Sequence, residues 1–210
     1  MIFEQFSNFG IIPVVVFDDV KDVAPLAKIL SENNLQCIEV AFRTPVADEA
    51  VRIITREFPD MLVGACNILN ISQAELAINA GAKFIVTCGI NPDIVQYCLD
   101  ESIPVTPGTQ TPTEIEQALG LSLTVVNYFP AEPVGGLKMI KALASVYEEL
   151  KFMPSGGINV TNLRDYLAYD RVVACAGSWL TARELIKANN WKKISELVKE
   201  AVNIVKEVRS

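Results

Sequence analysis

Short runs of apolar and β-branched residues alternate along this chain with longer segments whose apolar residues recur at the period of an α-helix. Strict alternation of strands and helices is typical of a parallel sheet with right-handed connections. The runs are apolar nearly throughout, as expected where helices cover both faces of such a sheet. We predict strands at residues 11–17, 36–42, 61–65, 83–88, 103–106, 123–128, 151–153 and 172–176. This pattern predicts an α/β fold, a (β/α)8 TIM barrel, with residues 1–210 as a single domain.

The segments between these runs are amphipathic and carry helix start and stop signals. We predict helices at residues 20–33, 45–57, 72–80, 92–99, 113–118, 136–147, 160–167, 182–187 and 191–208. An open doubly wound sheet is the alternative architecture, and its dinucleotide-binding members carry a glycine fingerprint directly after the first strand. Here Asp18 and Asp19 follow the first predicted strand instead. The sequence therefore favours the barrel.

Charge and composition argue against several classes of partner. The 210 residues include 25 acidic and 18 basic side chains, for a formal net charge of −7. Nucleic-acid binding needs clustered Lys and Arg, which this chain lacks, so we expect no nucleic acid as a partner. No window approaches the roughly 18 consecutive apolar residues of a membrane span, so we expect no membrane partner. The first residues carry no basic stretch leading into an apolar run, and we expect a cytoplasmic protein.

Residues that commonly bind metal are scarce or scattered. Histidine is absent, no cluster of Asp or Glu follows the predicted strands, and the cysteines form no CxxC pair. We therefore expect no metal and no cofactor. Reduced thiols inside apolar runs behave as small hydrophobic groups, so we expect buried free thiols at Cys37, Cys66, Cys88, Cys98 and Cys175.

Polar residues at the carboxyl ends of the predicted strands are candidates for chemistry, because the active sites of α/β barrels lie at that end. They are Glu39, Arg43, Thr44, Asn67, Asn70, Thr87, Cys88, Thr109, Gln110, Asn127, Glu132, Ser155, Gly156, Gly157, Gly177 and Ser178. The loops at 155–157 and 177–178 follow the seventh and eighth predicted strands. Loops at these positions commonly bind phosphate through backbone N–H groups, which glycine leaves accessible. We predict a phosphate site there.

Glu39 interrupts an apolar run and shares the side of the strand that carries Cys37 and Ala41, which we assign to the barrel interior. A carboxylate is costly to bury unless it is paired or used, and burial raises its pKa. We predict general acid–base work for Glu39. A structural ion pair with Arg43 is the alternative, although the Arg43 guanidinium equally offers a bidentate clamp for a substrate carboxylate.

Ordered motifs run through essentially the whole chain: IEVAFRT at 38–44, VGA at 63–65, LN at 69–70, PG at 107–108, FPAE at 129–132, GG at 135–136, PSGGI at 154–158 and GSWL at 177–180. Together they resemble the motifs of the 2-keto-3-deoxy-6-phosphogluconate / 4-hydroxy-2-oxoglutarate aldolases. The resemblance implies a homotrimeric class I aldolase that needs no metal. Such an enzyme cleaves a phosphorylated 2-keto acid to pyruvate and an aldehyde through a lysine imine.

Carried over position by position, the resemblance implies a proton-shuttling role for Glu39 and carboxylate binding by Arg43. It places the phosphate at Gly156, Gly157, Gly177 and Ser178.

Three positions of this sequence depart from the family pattern. Asn127 stands at the place of the imine-forming lysine, Asn67 replaces a threonine that helps to hold the substrate carboxylate, and Ser155 replaces a threonine with retention of the hydroxyl. An amide nitrogen is delocalised and cannot add to a ketone. We therefore predict class I activity that is weak or lost.

Other lysines do not replace the missing amine. Lys83 and Lys151 begin predicted strands, at the opposite barrel end, and Lys138 and Lys141 lie on a predicted helix. Three functions follow as hypotheses: an aldolase acting on a phosphorylated or simple 2-keto acid, a barrel that binds a phosphorylated sugar acid without cleaving it, and Glu39-dependent enolisation or epimerisation of a keto acid. In the third, the Asn67 and Asn127 amides would stabilise an enolate oxygen.

Overall fold

The computed structural model describes residues 2–209. This part of the chain contains the helices α1 Ile2–Phe9, α2 Val23–Glu32, α3 Ala47–Glu57, α4 Ile71–Ala80, α5 Pro92–Asp100, α6 Pro112–Gly120, α7 Gly136–Ala144, α8 Leu163–Leu167, α9 Arg183–Lys187 and α10 Trp191–Arg209. Its strands are β1 Ile11–Val15, β2 Cys37–Ala41, β3 Leu62–Cys66, β4 Ile85–Val86, β5 Val105–Thr106, β6 Gly108–Thr109, β7 Val125–Tyr128, β8 Lys151–Pro154 and β9 Cys175–Gly177. The predicted alternation of strands and helices is confirmed.

The strands form two sheets in which every pairing is parallel. One sheet has six strands in the order β5-β4-β3-β2-β1-β9, and the other has the order β6-β7-β8. Single bridges, Phe152 to Val172 and Ser155 to Ala176, link β8 to the segment that contains β9. The α/β fold with parallel strands is thus confirmed, whereas one continuous ladder of eight strands is not what these pairings show.

Pro107 explains part of the difference. The prediction ended the fifth strand at residue 106, but the structure adds β6 directly after Pro107, so that β5 and β6 lie in different sheets. Proline has no backbone N–H to donate to a ladder. Its carbonyl still accepts from Asn127 N at 2.9 Å, which keeps the interrupted segment beside β7.

Several helix starts are fixed by side chains that accept from the first free N–H groups. Asn70 caps α4, Asn91 caps α5, and Thr111 caps α6 in a reciprocal capping box with Glu114. Such caps contribute about 1 kcal/mol each. They set where each helix begins after a strand and thereby fix the loops at the carboxyl ends of the strands.

Helix α1 was missed by the sequence analysis, which began at residue 11. It buries Phe6, whose ring packs edge-on against Phe84 at a centroid distance of 4.8 Å. Phe84 in turn lies against Gly64 of β3, where any Cβ would overlap the ring. Phe84 precedes β4, so this cluster fills the end of the sheet opposite the carboxyl ends of the strands. The spacing of Phe3 and Phe6 was the available signal.

Arg209, at the end of α10, closes the same end. Its guanidinium donates to the carbonyl oxygens of Ser7, Val172 and Val173, and burial lowers its pKa. The first and last helices are thereby joined to the segment that leads into β9. No helix within residues 2–209 is long and apolar enough to cross a membrane.

Candidate active site

A cavity of about 190 Å³ opens at the carboxyl ends of the strands, opposite the Arg209 end. Of the predicted site residues, it gathers Glu39, Arg43, Asn67, Asn127, Ser155, Gly156, Gly177 and Ser178. Gly157 lies in an adjoining hollow, which Arg43 and Ser178 also line. The structure therefore brings together, within one connected depression, residues that are widely separated in the sequence.

Glu39 lies on β2, whose five residues are all buried. Its own exposure is 1%, and its Oε1 has no hydrogen-bond partner among the described residues. Burial raises the pKa of this carboxyl from its ordinary value of 4.5 to about 8, opposed in part by a hydrogen bond with Cys66. At neutral pH the group is therefore mostly protonated and able to donate a proton.

The alternative prediction of an ion pair between Glu39 and Arg43 is wrong for this structure. Within residues 2–209, no ion pair of Arg43 is found, and its side chain is exposed at the rim of the cavity. The reason is the strand geometry: Glu39 points into the covered interior from within β2, whereas Arg43 follows the end of that strand. Arg43 is thus available to an anion at the cavity mouth.

Asn127 lies on β7 and is 3% exposed. Its Nδ2 donates to the carbonyl oxygen of Thr87 at 3.0 Å, and its Oδ1 accepts from the Ser155 hydroxyl at 2.7 Å. Both polar atoms of the amide are satisfied by the protein. None of the described residues that line the cavity is a lysine.

The phosphate-loop candidates have a backbone that glycine permits. Gly156 and Gly157 have φ of 88° and 87°, in the left-handed region that other residues rarely adopt. Two backbone hydrogen bonds join this loop to the loop that follows β7. Ala131 N donates to Ser155 O at 2.7 Å, and Glu132 N donates to Gly156 O at 3.0 Å. Its shape is therefore set before any ligand binds.

Glu132 packs against the 155–157 loop outside the cavity lining. A Cβ at Gly157 would lie 2.5 Å from the Cβ of Glu132, and the Glu132 carboxylate accepts a short hydrogen bond from the Tyr166 hydroxyl. Glu132 was named as a strand-end candidate, but it does not line the cavity. Tyr166 was missed, because nothing in the sequence of α8 marks its contact with a residue 34 positions earlier.

On the opposite wall, Asn67 adopts a left-handed φ of 58° and its Nδ2 lies 2.9 Å from the Sγ of Cys88. Cys66 also lines the cavity and was not a site candidate, since it reads as an ordinary apolar strand residue. The cysteines are free in the structure, and four are buried, whereas Cys88 is half-buried.

Other strand-end candidates have local structural roles. Thr44 donates to the carbonyl of Phe17, Asn70 caps α4, and Gln110 donates to the carbonyl of Phe129. Thr109 is buried without a side-chain partner among the described residues, and it does not line the cavity. No group of three or more His, Cys, Asp or Glu side chains in the described part of the chain is arranged to hold a metal ion.

Fold and cavity together define an α/β protein with parallel strands and a pocket at their carboxyl ends, where α/β barrel enzymes carry their active sites. The sequence profile of the family "KDPG and KHG aldolase" matches residues 2–197. The chain belongs to this family.

Similar proteins agree with this assignment. The 2-dehydro-3-deoxy-phosphogluconate aldolase of Haemophilus influenzae is 44% identical over 98% of this chain and 97% of its own length. That of Treponema pallidum is 43% identical over 97% of each chain. A structure of the Legionella pneumophila KDPG aldolase, with pyruvate captured as a covalent carbinolamine, has a TM-score of 0.90 at 35% identity and covers 93% of this chain and 95% of that one.

A Zymomonas mobilis 2-keto-3-deoxy-6-phosphogluconate aldolase has been solved with 3-phosphoglycerate. It has a TM-score of 0.89 at 32% identity and covers 95% of this chain and 94% of that one.

Proposed function

We propose that this protein binds a phosphorylated 2-keto acid, of the 2-keto-3-deoxy-6-phosphogluconate kind, or pyruvate in the cavity at the strand ends, and that its class I cleavage of such a substrate is weak or lost. The observation that carries the proposal is the composition of this one cavity. It holds a buried Glu39 whose Oε1 has no partner among the described residues, together with the Gly156 and Gly177 loops, while Asn127 occupies the place of the family's lysine.

Each group has a chemical role in the proposed complex. Arg43, exposed at the rim, binds the ligand carboxylate with help from the Asn67 amide. The backbone N–H groups of the 155–157 and 177–178 loops, with the Ser178 hydroxyl, bind the phosphate. The relatives support this arrangement, since one has been captured with pyruvate and another solved with 3-phosphoglycerate.

Asn127 is why cleavage is expected to fail. A carbinolamine requires an amine nitrogen that attacks the ketone, and the nitrogen of an amide is delocalised into its carbonyl. In this chain that nitrogen also donates to the Thr87 carbonyl. Without the iminium, no electron sink accepts the electron pair of the breaking carbon–carbon bond.

Enolisation by Glu39 is a second candidate, favoured by the unpartnered Oε1 in the cavity wall. With a pKa of about 8, a minority of Glu39 is ionised at neutral pH and able to take a proton from the carbon beside the ketone. Exchange of the methyl protons of pyruvate with deuterium, followed by NMR, measures this reaction. We expect exchange that rises towards pH 8 and disappears in Glu39→Gln; equal exchange in both proteins would remove this candidate.

Calorimetry tests the binding proposal with a matched pair of glycine variants. At Gly156, an alanine Cβ would lie 2.9 Å from Cα of Pro130 in a left-handed backbone. We expect Gly156→Ala to weaken binding of 2-keto-3-deoxy-6-phosphogluconate by about tenfold or more, equal to about 1.4 kcal/mol, and to change pyruvate binding little. Gly120→Ala, at the end of α6 with open space around the new Cβ, is the control and should change neither.

If wild-type protein binds neither ligand, the proposed function is wrong. If Gly156→Ala instead weakens the binding of both ligands equally, the phosphate binds at another place.

The closed barrel and the homotrimer are part of the same proposal. Bridges between β8 and the β9 segment, and the continuity of β5 and β6 through Pro107, support one barrel of eight strands. Exposed apolar side chains on and before α4, Leu69, Ile71 and Leu76, support an interface between copies. Sedimentation should give a trimer that Leu76→Lys weakens, and a monomeric wild type would contradict it. The cytoplasmic location remains a prediction.

A further inference from the structure

Cys88 is the cysteine of this chain best placed to react with a ligand. It follows β4 at the carboxyl end of the sheet, lines the cavity and is half-buried, whereas the other four cysteines are buried. Thiolate character and access decide whether a cysteine reacts. Cys66 lines the same cavity, but burial raises the pKa of its thiol well above the ordinary value, which keeps it protonated.

The sulfur of Cys88 has a donor directed at it. The Asn67 amide nitrogen lies 2.9 Å from Sγ, and the left-handed backbone of Asn67 places it there. This contact holds the Cys88 thiol beside the Asn67 amide in the cavity wall.

Cys88 is also close to the place of the family's lysine. Gly108 pairs with Asn127 in the β6–β7 ladder, and a Cβ at Gly108 would overlap the carbonyl oxygen of Cys88. The Asn127 amide, in addition, donates to the carbonyl of Thr87, the residue before Cys88. The backbone of Cys88 therefore lies against β6, the strand that pairs with β7, and the residue before it contacts the Asn127 side chain.

A second observation points to a ligand in this cavity. Glu39 is 1% exposed and lines the cavity, and its Oε1 has no partner among the described residues. A buried polar atom left unpaired in an apolar wall costs free energy that a bound polar ligand recovers.

We propose that Cys88 is the nucleophile of this pocket and that its thiol adds reversibly to the ketone carbon of a bound 2-keto acid. This inference rests on the proposed function. The sulfur–carbon bond forms as the carbonyl π bond opens, and the oxygen takes up one proton while the thiol loses one. The product is a thiohemiketal, and no oxidant or further reactant is needed.

Such an adduct captures a ligand without cleaving it. The former carbonyl carbon becomes tetrahedral, so it offers no empty orbital to the electrons of a breaking carbon–carbon bond. A thiol at position 88 therefore does not restore the aldolase route that Asn127 removes, and it suits a protein that retains its ligand.

Bromopyruvate tests the proposal because it carries the 2-keto acid group beside a leaving group. Attack by Cys88 forms a thioether, releases bromide and gives the thiol proton to solvent, and peptide mass spectrometry locates the product. We expect modification of Cys88 at least about tenfold faster than of Cys98, because the bound reagent is held beside the thiol. Excess pyruvate should slow it, and Asn67→Ala should slow it as well.

The reversible adduct is measured by carbon-13 NMR of pyruvate labelled at the ketone carbon. With wild-type protein we expect a bound signal in the region of tetrahedral carbon. The signal should be absent in Cys88→Ala and retained in the control Cys98→Ala, whose cysteine lies on α5 and does not line the cavity.

Iodoacetamide separates site-directed from general reactivity. If it modifies Cys88 with the same preference over Cys98, and pyruvate gives no protection, the proposal is overturned. Calorimetric binding of 2-keto-3-deoxy-6-phosphogluconate without any Cys88 adduct overturns the proposal but leaves the proposed function intact. Absence of both binding and adduct overturns both.

Discussion

Asn127→Lys is expected to give a covalent adduct with pyruvate that borohydride traps and that wild-type protein does not form on any lysine. The new amine would project from β7 into a cavity that already holds Glu39 and Arg43. Burial lowers the pKa of a lysine and favours its neutral, nucleophilic form. Intact mass after reduction should rise by one pyruvyl group, located by peptide mapping to position 127.

Cleavage of 2-keto-3-deoxy-6-phosphogluconate should rise in the same variant by about 10²-fold or more, which corresponds to about 2.7 kcal/mol of activation free energy. The iminium supplies the electron sink, and Glu39 supplies proton transfer. The double variant Asn127→Lys with Glu39→Gln should form the adduct but cleave slowly. This pair separates covalent capture from proton movement.

Asn127→Met is the matched control, since it is of similar length to lysine and has no amine. It should give neither adduct nor cleavage. A folded Asn127→Lys protein without any adduct would show that the pocket has diverged beyond this one residue. A borohydride-trapped pyruvyl lysine in the wild type would contradict the premise that the imine site is missing.

Glu39→Gln should remove most of the pH dependence of unfolding between about pH 5 and pH 8. The folded-state pKa is about 8, above the ordinary value of 4.5 that applies to the unfolded chain. Between these values the folded state holds a proton that the unfolded state has released, so wild-type stability falls as pH rises. The full difference is at most about 5 kcal/mol.

The absence of histidine makes this pH window unusually simple to interpret. Near Glu39, the Cys37 and Cys66 thiols have their pKa raised well above the ordinary value by burial, so they stay protonated in this range. Denaturant unfolding at pH 5, 7 and 8.5 gives the slope, and Glu75→Gln, at an exposed position on α4, is the control. Equal slopes in Glu39→Gln and wild type would contradict the burial of an uncompensated carboxyl.

The sequence predicted the parts of the site that depend on position along a strand. Glu39 lies in an apolar run, and the alternation of side chains along a strand assigns it to the same face as Cys37 and Ala41. Asn127 lies near the end of the sixth predicted strand, the end at which barrel active sites are found. The paired glycines at 156 and 157 likewise predicted a loop with accessible backbone N–H groups, and the structure gives both a left-handed φ. These assignments depend only on local backbone geometry, which can be inferred from a short sequence pattern.

What the sequence could not predict depends on contacts between distant segments. The hydrogen bonds of the Asn127 amide with Thr87 and Ser155 join β7 to the residues that directly follow β4 and β8. The support of Glu132 by Tyr166 and the approach of Asn67 to Cys88 are of the same kind. Helix α1 was missed for another reason: at eight residues it is too short for its periodicity to stand out, and packing on Phe84 stabilises it.

The hydrogen bonds of Asn127 bear on what a lysine at this position would cost the fold. A lysine at that place is either a desolvated cation or an amine held neutral by a lowered pKa, and either form costs folding free energy. The Asn127 amide is instead uncharged: it accepts a hydrogen bond from the Ser155 hydroxyl and donates one to the Thr87 carbonyl. Replacement of a catalytic side chain by one whose hydrogen bonds are satisfied commonly raises stability at the expense of activity. In thermal denaturation we therefore expect the protein with Asn127 to unfold at a higher temperature than Asn127→Lys, and the difference measures what an amine at this position costs in folding free energy.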